Sequence, residues 1–210
     1  MTATPSPAML AIHRGAARTT ISASPGLDRL ADLSFTGRQP DVAVTSDTVR
    51  ITYPLLGFPS LRARGASIVL RAEHSWIVEI DGGAGELDAR LDTTTIRSVH
   101  IDGGLARSTL VLPPAVGVVP VTITGGVSNV ALRLPEGTAV DLDVHGGVKD
   151  LTLDDQALGA VGGHFQVRSP GLRGHDRHYR ITVGGGASRL SVTTGTQLTA
   201  PAQPDGGSAA

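Results

Sequence analysis

The chain has 210 residues, of which 40% are hydrophobic, enough for one folded domain with a substantial core. Its formal net charge is −1, Lys149 is its only lysine, and only 3% of its residues are aromatic, so it lacks the positive field and the stacking surfaces that nucleic acids require. It has no cysteine, which excludes disulfides and thiol chemistry. We therefore expect no nucleic-acid partner.

The N-terminal segment contains Pro5 and Pro7 and shows no hydrophobic periodicity. Residues 1–10 are therefore predicted to form a disordered tail. No long apolar run follows early basic residues, and nowhere do 18 apolar residues follow one another. We predict a cytoplasmic protein without direct insertion into a membrane.

Weak repeats begin near Ile12. The segments IHRGAARTTISA (12–23) and LRARGASIVLRA (61–72) each keep a single glycine and part of an alternating apolar pattern. Such imperfect copies are typical of the ends of stacked arrays, where they cover the open core. Between them, LDRLADL (27–33) is a weak candidate for a short helix, because alternation resumes directly after it.

The clearest feature of the sequence is a repeat that occurs five times between residues 78 and 194. The copies are VEIDGGAGELDARL, VHIDGGLARSTLVL, VTITGGVSNVALRL, LDVHGGVKDLTLDD and ITVGGGASRLSVTT. Their first glycines, counted in the last copy from the second of its three, are spaced by 21, 22, 21 and 39 residues. Large aliphatic residues stand four and two positions before the first glycine in every copy. Alternation resumes after the pair, which predicts a strand, a bend and a second strand.

One repeat of about 21 residues cannot bury its aliphatic face alone, so neighbouring copies must stack. The sequence therefore predicts an all-β, single-domain β-solenoid over residues 11–194. Glycine suits the bend because it reaches positive φ and because its missing Cβ lets successive coils turn the same corner about 4.8 Å apart. We interpret the glycine pairs as structural turns: Gly82, Gly83, Gly103, Gly104, Gly125, Gly126, Gly146, Gly147, Gly185 and Gly186.

The interval of 39 residues is close to two repeats. We interpret residues 158–181 as a degenerate coil that carries an inserted loop, SPGLRGHDRH (169–178). Nothing in the middle of the chain reads as a long helix, and the segment LDDQALGAV (153–161) is the best candidate for a short one. Residues 195–210 are small, rich in proline and glycine and without periodicity, and are predicted to form a second disordered tail.

The glycine turns, the linker LRLPEG (132–137) and the ending SPGLRGHDRHYRITVGGGASRLSV (169–192) resemble the toastrack domain. This β-solenoid module occurs in LiaF-like proteins of the bacterial envelope-stress response and in actinobacterial adhesin-like repeat proteins. The resemblance covers most of residues 11–194 and is strongest from Trp76 to Val192. It implies a fold and says little about chemistry.

Two departures from that family affect what can be carried over. LiaF-like proteins place transmembrane helices before the domain, and this chain shows none. The loop before the last strand, acidic and aromatic in relatives, reads GHDRHY (174–179) here. The resemblance therefore implies a role in stress or envelope-associated regulation without implying the membrane-bound arrangement.

The closest group of metal-ligating residues in the sequence is His175, Asp176 and His178. The spacing of its histidines would bring two imidazoles together on a helix, but these residues follow a proline in a loop, so a solvated loop is favoured and they are only weak metal candidates. The positions before the glycine pairs, namely Asp81, Asp102, Thr124 and His145, should form a ladder along one outer corner. Only two successive rungs are acidic, which favours solvated turn residues over a Ca²⁺ site. We expect no cofactor.

Catalytic constellations are weakly represented. Ser169 with His164 or His175 could be nominated as a nucleophile and a base, but no G-x-S-x-G motif occurs. Asp150, Asp154 and Asp155 could serve a carbohydrate-active site, for which few aromatic residues are available: Trp76, Tyr53, Tyr179 and three phenylalanines. Trp76 is more simply a core residue.

The sequence thus favours a non-catalytic β-solenoid that acts as a scaffold or interaction module for an unknown protein partner. Strand edges at the open ends and the flat sheet faces are the expected contact surfaces, and a homo-oligomer is a plausible result. Two alternatives stay open at this point. One is a carbohydrate-active enzyme on a β-helix scaffold, and the other is a self-assembling structural protein.

Overall fold

The structure is a computed structural model that describes residues 6–15, 18–37, 39–54, 65–154, 156–169, 172 and 177–195. These residues form two sheets of nine strands each, which confirms the predicted all-β solenoid. The first sheet consists of β1 (Ala8–His13), β4 (Asp41–Val44), β5 (Thr48–Thr52), β7 (Ser75–Asp81), β9 (Thr95–Asp102), β11 (Val118–Ile123), β13 (Ala139–Val144), β16 (Phe165–Arg168) and β17 (His178–Val183). The second consists of β2 (Arg18–Ser24), β3 (Ala31–Thr36), β6 (Gly65–Arg71), β8 (Leu87–Arg90), β10 (Leu105–Val111), β12 (Val127–Arg133), β14 (Val148–Leu153), β15 (Gln156–Val161) and β18 (Leu190–Thr193).

Each coil contributes one strand to each sheet, and in the five coils that begin with β7, β9, β11, β13 and β17 a glycine pair joins the two strands. In the coil of β9 and β10, Val99 and Ile101 are buried between the sheets, whereas His100 and Asp102 point to solvent. Because each coil returns the chain to the same side, neighbouring coils pair in parallel, with Val99 opposite Val121 in β11. The alternation in the sequence is therefore the alternation between core and surface.

The coils do not stack in the order of the sequence. The first coil, β1 with β2, lies between the coils β5/β6 and β7/β8. The last coil, β17 with β18, lies between β11/β12 and β13/β14. Both terminal segments of the described chain thus fill a slot one coil inside the end of the stack.

The interpretation of residues 158–181 as a degenerate coil is wrong, and so is the predicted helix at 153–161. The segment instead contains β15 and β16, which run antiparallel to β14 and β13 and close the two sheets at one end. The side chains of β15 are mostly exposed, so the strand lacks the apolar alternation by which the other strands were recognised. The 39-residue spacing is the length of chain that builds this cap and returns.

The other end of the stack has the same design. Strands β3 and β4 run antiparallel to β6 and β5 and form the outermost strands of the two sheets. The helix considered at residues 27–33 is absent, since β3 begins at Ala31 after a turn. Strand β1 begins at Ala8, three residues inside the segment assigned to the N-terminal tail. Residues 1–5 and 196–210 lie outside the described residues.

The core is aliphatic and also holds the largest aromatic side chains. Trp76 is 0% exposed, which confirms its core placement, and its Nε1 donates a hydrogen bond to the carbonyl oxygen of Arg71 at 2.9 Å. Tyr53 and Tyr179 are buried as well. Tyr179 donates from its hydroxyl to the carbonyl oxygen of Pro113 at 2.7 Å. Burial raises the pKa of Tyr179 far above its ordinary value, so the hydroxyl remains protonated and donates at any physiological pH.

We expect Tyr179→Phe to lower the free energy of unfolding by about 1–2 kcal/mol, because it leaves the Pro113 carbonyl without its buried donor while the ring still fills its space. Urea unfolding followed by circular dichroism measures the difference. An unchanged midpoint would show that water replaces the hydroxyl at no cost. Ser22→Ala, a change of one small hydroxyl on the half-buried strand β2, serves as the control with an expected change within about 0.5 kcal/mol.

Candidate functional site

The predicted turn glycines stack directly on one another along one edge of the solenoid. A Cβ built on Gly125 would lie 2.6 Å from the carbonyl carbon of Gly103 and 2.7 Å from the nitrogen of Gly104. A Cβ built on Gly185 would lie equally close to the nitrogen of Gly126, at 2.6 Å. We call this row the glycine spine and define it as Gly82, Gly83, Gly103, Gly104, Gly125, Gly126, Gly185, Gly186, Gly146 and Gly147. Side chains would separate the coils at this edge, so the spine acts as a structural element.

A row of polar side chains runs beside the glycine spine on the outer corner. Asp81 pairs in register with Asp102, and Thr124 donates from its hydroxyl to Asp102 Oδ1 at 2.8 Å. At one end of the row, His13 Nδ1 lies 3.6 Å from Asp81. Because β17 is inserted between β11 and β13, Gly184 separates Thr124 from His145 in the row. The predicted ladder of polar side chains is therefore interrupted at Gly184, an interruption that the order of the repeats in the sequence did not indicate.

At the other end of this row, three metal-ligating side chains meet. Asp143 lies in β13, His145 directly follows that strand, and His164 directly precedes β16. The last cross-strand pair between β13 and β16 is Val144 with Phe165, so the three side chains project from the outer face. Asp143 Oδ1 lies 2.6 Å from His164 Nε2 and 3.4 Å from His145 Nε2. We refer to Asp143, His145 and His164 as the cap cluster.

The polar side chains next to the cap cluster on β16 form hydrogen bonds to Asp141 and not to the cluster. One rung away, Arg168 Nε donates to Asp141 Oδ1 at 3.1 Å, and Gln166 donates to the same oxygen at 3.4 Å. The guanidinium is therefore engaged with Asp141. The two imidazole rings stand edge to face with centroids 5.2 Å apart.

Of the three predicted metal candidates, only His178 lies among the described residues. His175 and Asp176 lie outside the described residues. His178 is buried at the start of β17, where its backbone nitrogen donates to the Gly117 carbonyl at 3.1 Å. Sequence reasoning missed the cap cluster, although a signal was present: His145 precedes one glycine pair and His164 follows another. Only the antiparallel pairing of β13 with β16 makes these positions neighbours.

Ser169 and His164, one of its two nominated bases, are far apart, and the other base, His175, lies outside the described residues. Ser169 and His164 lie at opposite ends of β16, five residues apart along an extended strand, or roughly 16 Å. The Ser169 hydroxyl oxygen accepts a hydrogen bond from the Val140 backbone nitrogen at 2.9 Å. Ser169 thus fastens the end of the cap to β13 and is not activated by His164.

The residues considered for sugar binding are placed differently from what a glycan groove needs. Trp76, Tyr53 and Tyr179 are all buried in the core and offer no stacking face to a sugar ring. Asp154 Oδ1 accepts hydrogen bonds from the backbone nitrogen and the hydroxyl of Thr194, at 2.6 and 2.9 Å. Asp150 is exposed on β14, and Asp155 lies outside the described residues.

In the part of the chain that the structure describes, no helix has the length and the hydropathy needed to cross a bilayer.

Comparison with known proteins supports the fold. No protein-family model matches the chain. No curated protein matches its sequence either. The solved structures include a crystal structure described as a "putative cell adhesion protein" from Clostridium sporogenes, which is 16% identical and superposes with a TM-score of 0.62 over 89% of this chain and 93% of that one. At this identity the likeness establishes a shared solenoid-like architecture. The finer resemblance to LiaF-like proteins stays a prediction.

Proposed function

We propose that this chain is a non-catalytic protein-interaction module, and that a second copy of the chain is a partner that it meets at the end of the solenoid formed by β4. A module of this kind fits the envelope-associated or stress-related role that the sequence resemblance implies. The solenoid-like neighbour described as an adhesion protein is consistent with an interaction role. The cytoplasmic location stays a prediction from the sequence.

The observation that carries the proposal is the edge of β4. This strand pairs only with β5 among the described residues, so its other side presents backbone donors and acceptors without a strand neighbour. Val42 and Val44 lie on the core-facing side of β4, opposite Ile51 and Val49, yet they are 41% and 52% exposed. Strand addition at this edge would pair the backbone and cover both valines.

The other outer strands are less suited to pairing. Strand β15 meets β14 with register shifts, which disturb a regular ladder. On the outer strands β16 and β3, core-facing side chains such as Val167 and Phe35 are partly buried against the core, so these edges leave less apolar surface for a partner to cover. Around a two-fold axis through Ala43, an antiparallel pair of β4 strands would place Val42 of each copy opposite Val44 of the other. The self-complementary spacing of these valines favours a second copy as the partner.

Light scattering coupled to size-exclusion chromatography, run over a concentration series, tests this proposal. We expect the mass to rise from one chain to two with concentration, and we expect the double variant Val42→Lys, Val44→Lys to remain monomeric because two charges would meet two others across the two-fold axis. Val118→Lys is the matched control, since Val118 is 43% exposed on β11, inside the sheet and away from its ends.

A wild-type chain that stays monomeric at all concentrations would contradict self-association through β4. Association that Val118→Lys abolishes and the double variant keeps would assign contact to the sheet face. Open-ended growth in mass would favour the self-assembling structural protein. Hydrolysis of a polysaccharide by the wild-type chain would contradict the non-catalytic assignment.

A further inference from the structure

We propose that the cap cluster of Asp143, His145 and His164 binds one divalent transition-metal ion, with Zn²⁺ as the best-suited ion, and that the ion fastens the antiparallel cap to the parallel stack. The arrangement is convergent: the Nε2 atoms of two imidazoles face the same carboxylate oxygen, at 2.6 and 3.4 Å. All three ligand atoms lie within 4.8 Å of one another.

These separations are close to those of a tetrahedral site. Bonds of about 2.0–2.2 Å to Zn²⁺ place neighbouring ligand atoms about 3.3–3.6 Å apart. The distance of 3.4 Å between Asp143 Oδ1 and His145 Nε2 already satisfies this. His164 Nε2, now 2.6 Å from the same oxygen, must move away from it by about 1 Å. The histidine side chains are 55% and 60% exposed, so small rotations of their rings can supply the change without disturbing the core.

The backbone around the cluster is held in place. Strand β13 pairs with β17 on one side and β16 on the other. The nitrogen of His145 donates to the Val183 carbonyl at 2.9 Å, and the next residue, Gly146, belongs to the glycine spine. Two of the three ligands are therefore presented from a rigid element, which lowers the entropic cost of binding.

The donor set selects the class of ion. Two imidazoles and one carboxylate suit Zn²⁺ and its neighbours in the first transition series, whereas Ca²⁺ requires six to eight oxygen ligands. The ion would replace the hydrogen bond between His164 Nε2 and Asp143, with the imidazole neutral and its one ring hydrogen on Nδ1. Three protein ligands leave the fourth position to water. Because His164 belongs to the cap and Asp143 and His145 to the stack, the bound ion would join these two parts.

A similar pair at the opposite end of the row provides a natural control. His13 Nδ1 lies 3.6 Å from Asp81, but among the described residues no second histidine joins this pair to form a group of three ligands. His13→Gln should therefore leave metal binding unchanged. His175→Gln is a second control, which distinguishes metal binding at the cap cluster from metal binding by the histidine-rich residues 175–178.

The test is titration of the full, tag-free chain with Zn²⁺ by calorimetry and by competition with a chromogenic chelator. We expect one Zn²⁺ per chain, with affinity reduced at least about tenfold in His145→Gln and in His164→Gln and unchanged in His13→Gln and His175→Gln. Substituted Co²⁺ should show the visible absorption bands of a tetrahedral site in the wild type and in both control variants, but not in His145→Gln or His164→Gln. Saturating Zn²⁺ should raise the unfolding midpoint by roughly 5–10 °C at a hundredfold excess over Kd.

Three results would overturn the proposal: no stoichiometric binding by the wild type, wild-type affinity in His145→Gln and His164→Gln, or loss of binding in His175→Gln. Both cap variants change exposed side chains, so they should fold, and their midpoints without metal should match that of the metal-free wild type. The competition with the chelator measures Zn²⁺ binding directly, so it remains informative even if fastening β16 has little effect on the unfolding midpoint. The association of β4 edges is at the other end of the solenoid and is measured separately, so either proposal can fail alone.

Discussion

Gly125→Ala is expected to lower the free energy of unfolding by at least about 3 kcal/mol, or to prevent folding, although it adds a single methyl group. The added Cβ would lie 2.6–2.7 Å from three backbone atoms of Gly103 and Gly104 in the neighbouring coil. Backbone atoms cannot rotate away as a flexible side chain can, so the two coils must separate at this edge. Thermal unfolding by circular dichroism and the yield of soluble protein measure the effect.

Gly162→Ala is the matched control for this prediction. Neither Gly125 nor Gly162 has a φ in the left-handed region, so the two substitutions share the same backbone cost. No atom lies within 4 Å of a Cβ built on Gly162. We expect a change within about 0.5 kcal/mol there, or a slight gain from the less flexible unfolded chain. Equal effects at both positions would show that close packing of the coils does not explain the spine.

The second large effect is expected for Trp76→Ala, at about 3–5 kcal/mol. Trp76 is the largest fully buried side chain, and its removal leaves a cavity at the start of β7. It also removes the donor of the hydrogen bond to the Arg71 carbonyl. In a chain of this size the loss corresponds to a midpoint lower by roughly 10–15 °C, which differential scanning calorimetry can follow.

Trp76→Phe separates the two contributions. Phenylalanine retains much of the ring and loses the Nε1 donor, so we expect about half of the destabilisation of the alanine variant. If the phenylalanine and alanine variants unfold at the same midpoint, the hydrogen bond is the main contribution and the packing account is wrong. A loss below about 1 kcal/mol in both would contradict the core role of Trp76.

Much of the architecture was predictable because it depends on short-range patterns. The aliphatic residues at alternate positions, such as Val99 and Ile101, specify which face of each strand is buried. The edge strands were not predictable in this way. Side chains of β15 face solvent on both sides, so no selection for alternation marks the strand, and the segment was interpreted first as a helix and a degenerate coil.

The cap cluster shows the same limit at the level of a site. His145 and His164 are 19 residues apart in the sequence and become neighbours only because β16 turns back along β13. A sequence search for metal ligands favours short spacings and therefore selected His175, Asp176 and His178 instead. The geometry of a site formed between two strands depends on their pairing, and pairing is a property of the whole stack.

By itself, the sequence determined the repeat, the glycine turns, the aliphatic core and hence the solenoid class, since each of these follows from side-chain size and spacing within one coil. Only the tertiary structure decided the order of the coils. The five coils with glycine pairs present nearly the same aliphatic face and the same turn to their neighbours, so local packing accepts any order among them equally well. The antiparallel caps break this equivalence: β15 and β16 occupy the end beside β14 and β13, and the last coil must then enter the slot between Gly125 and Gly146.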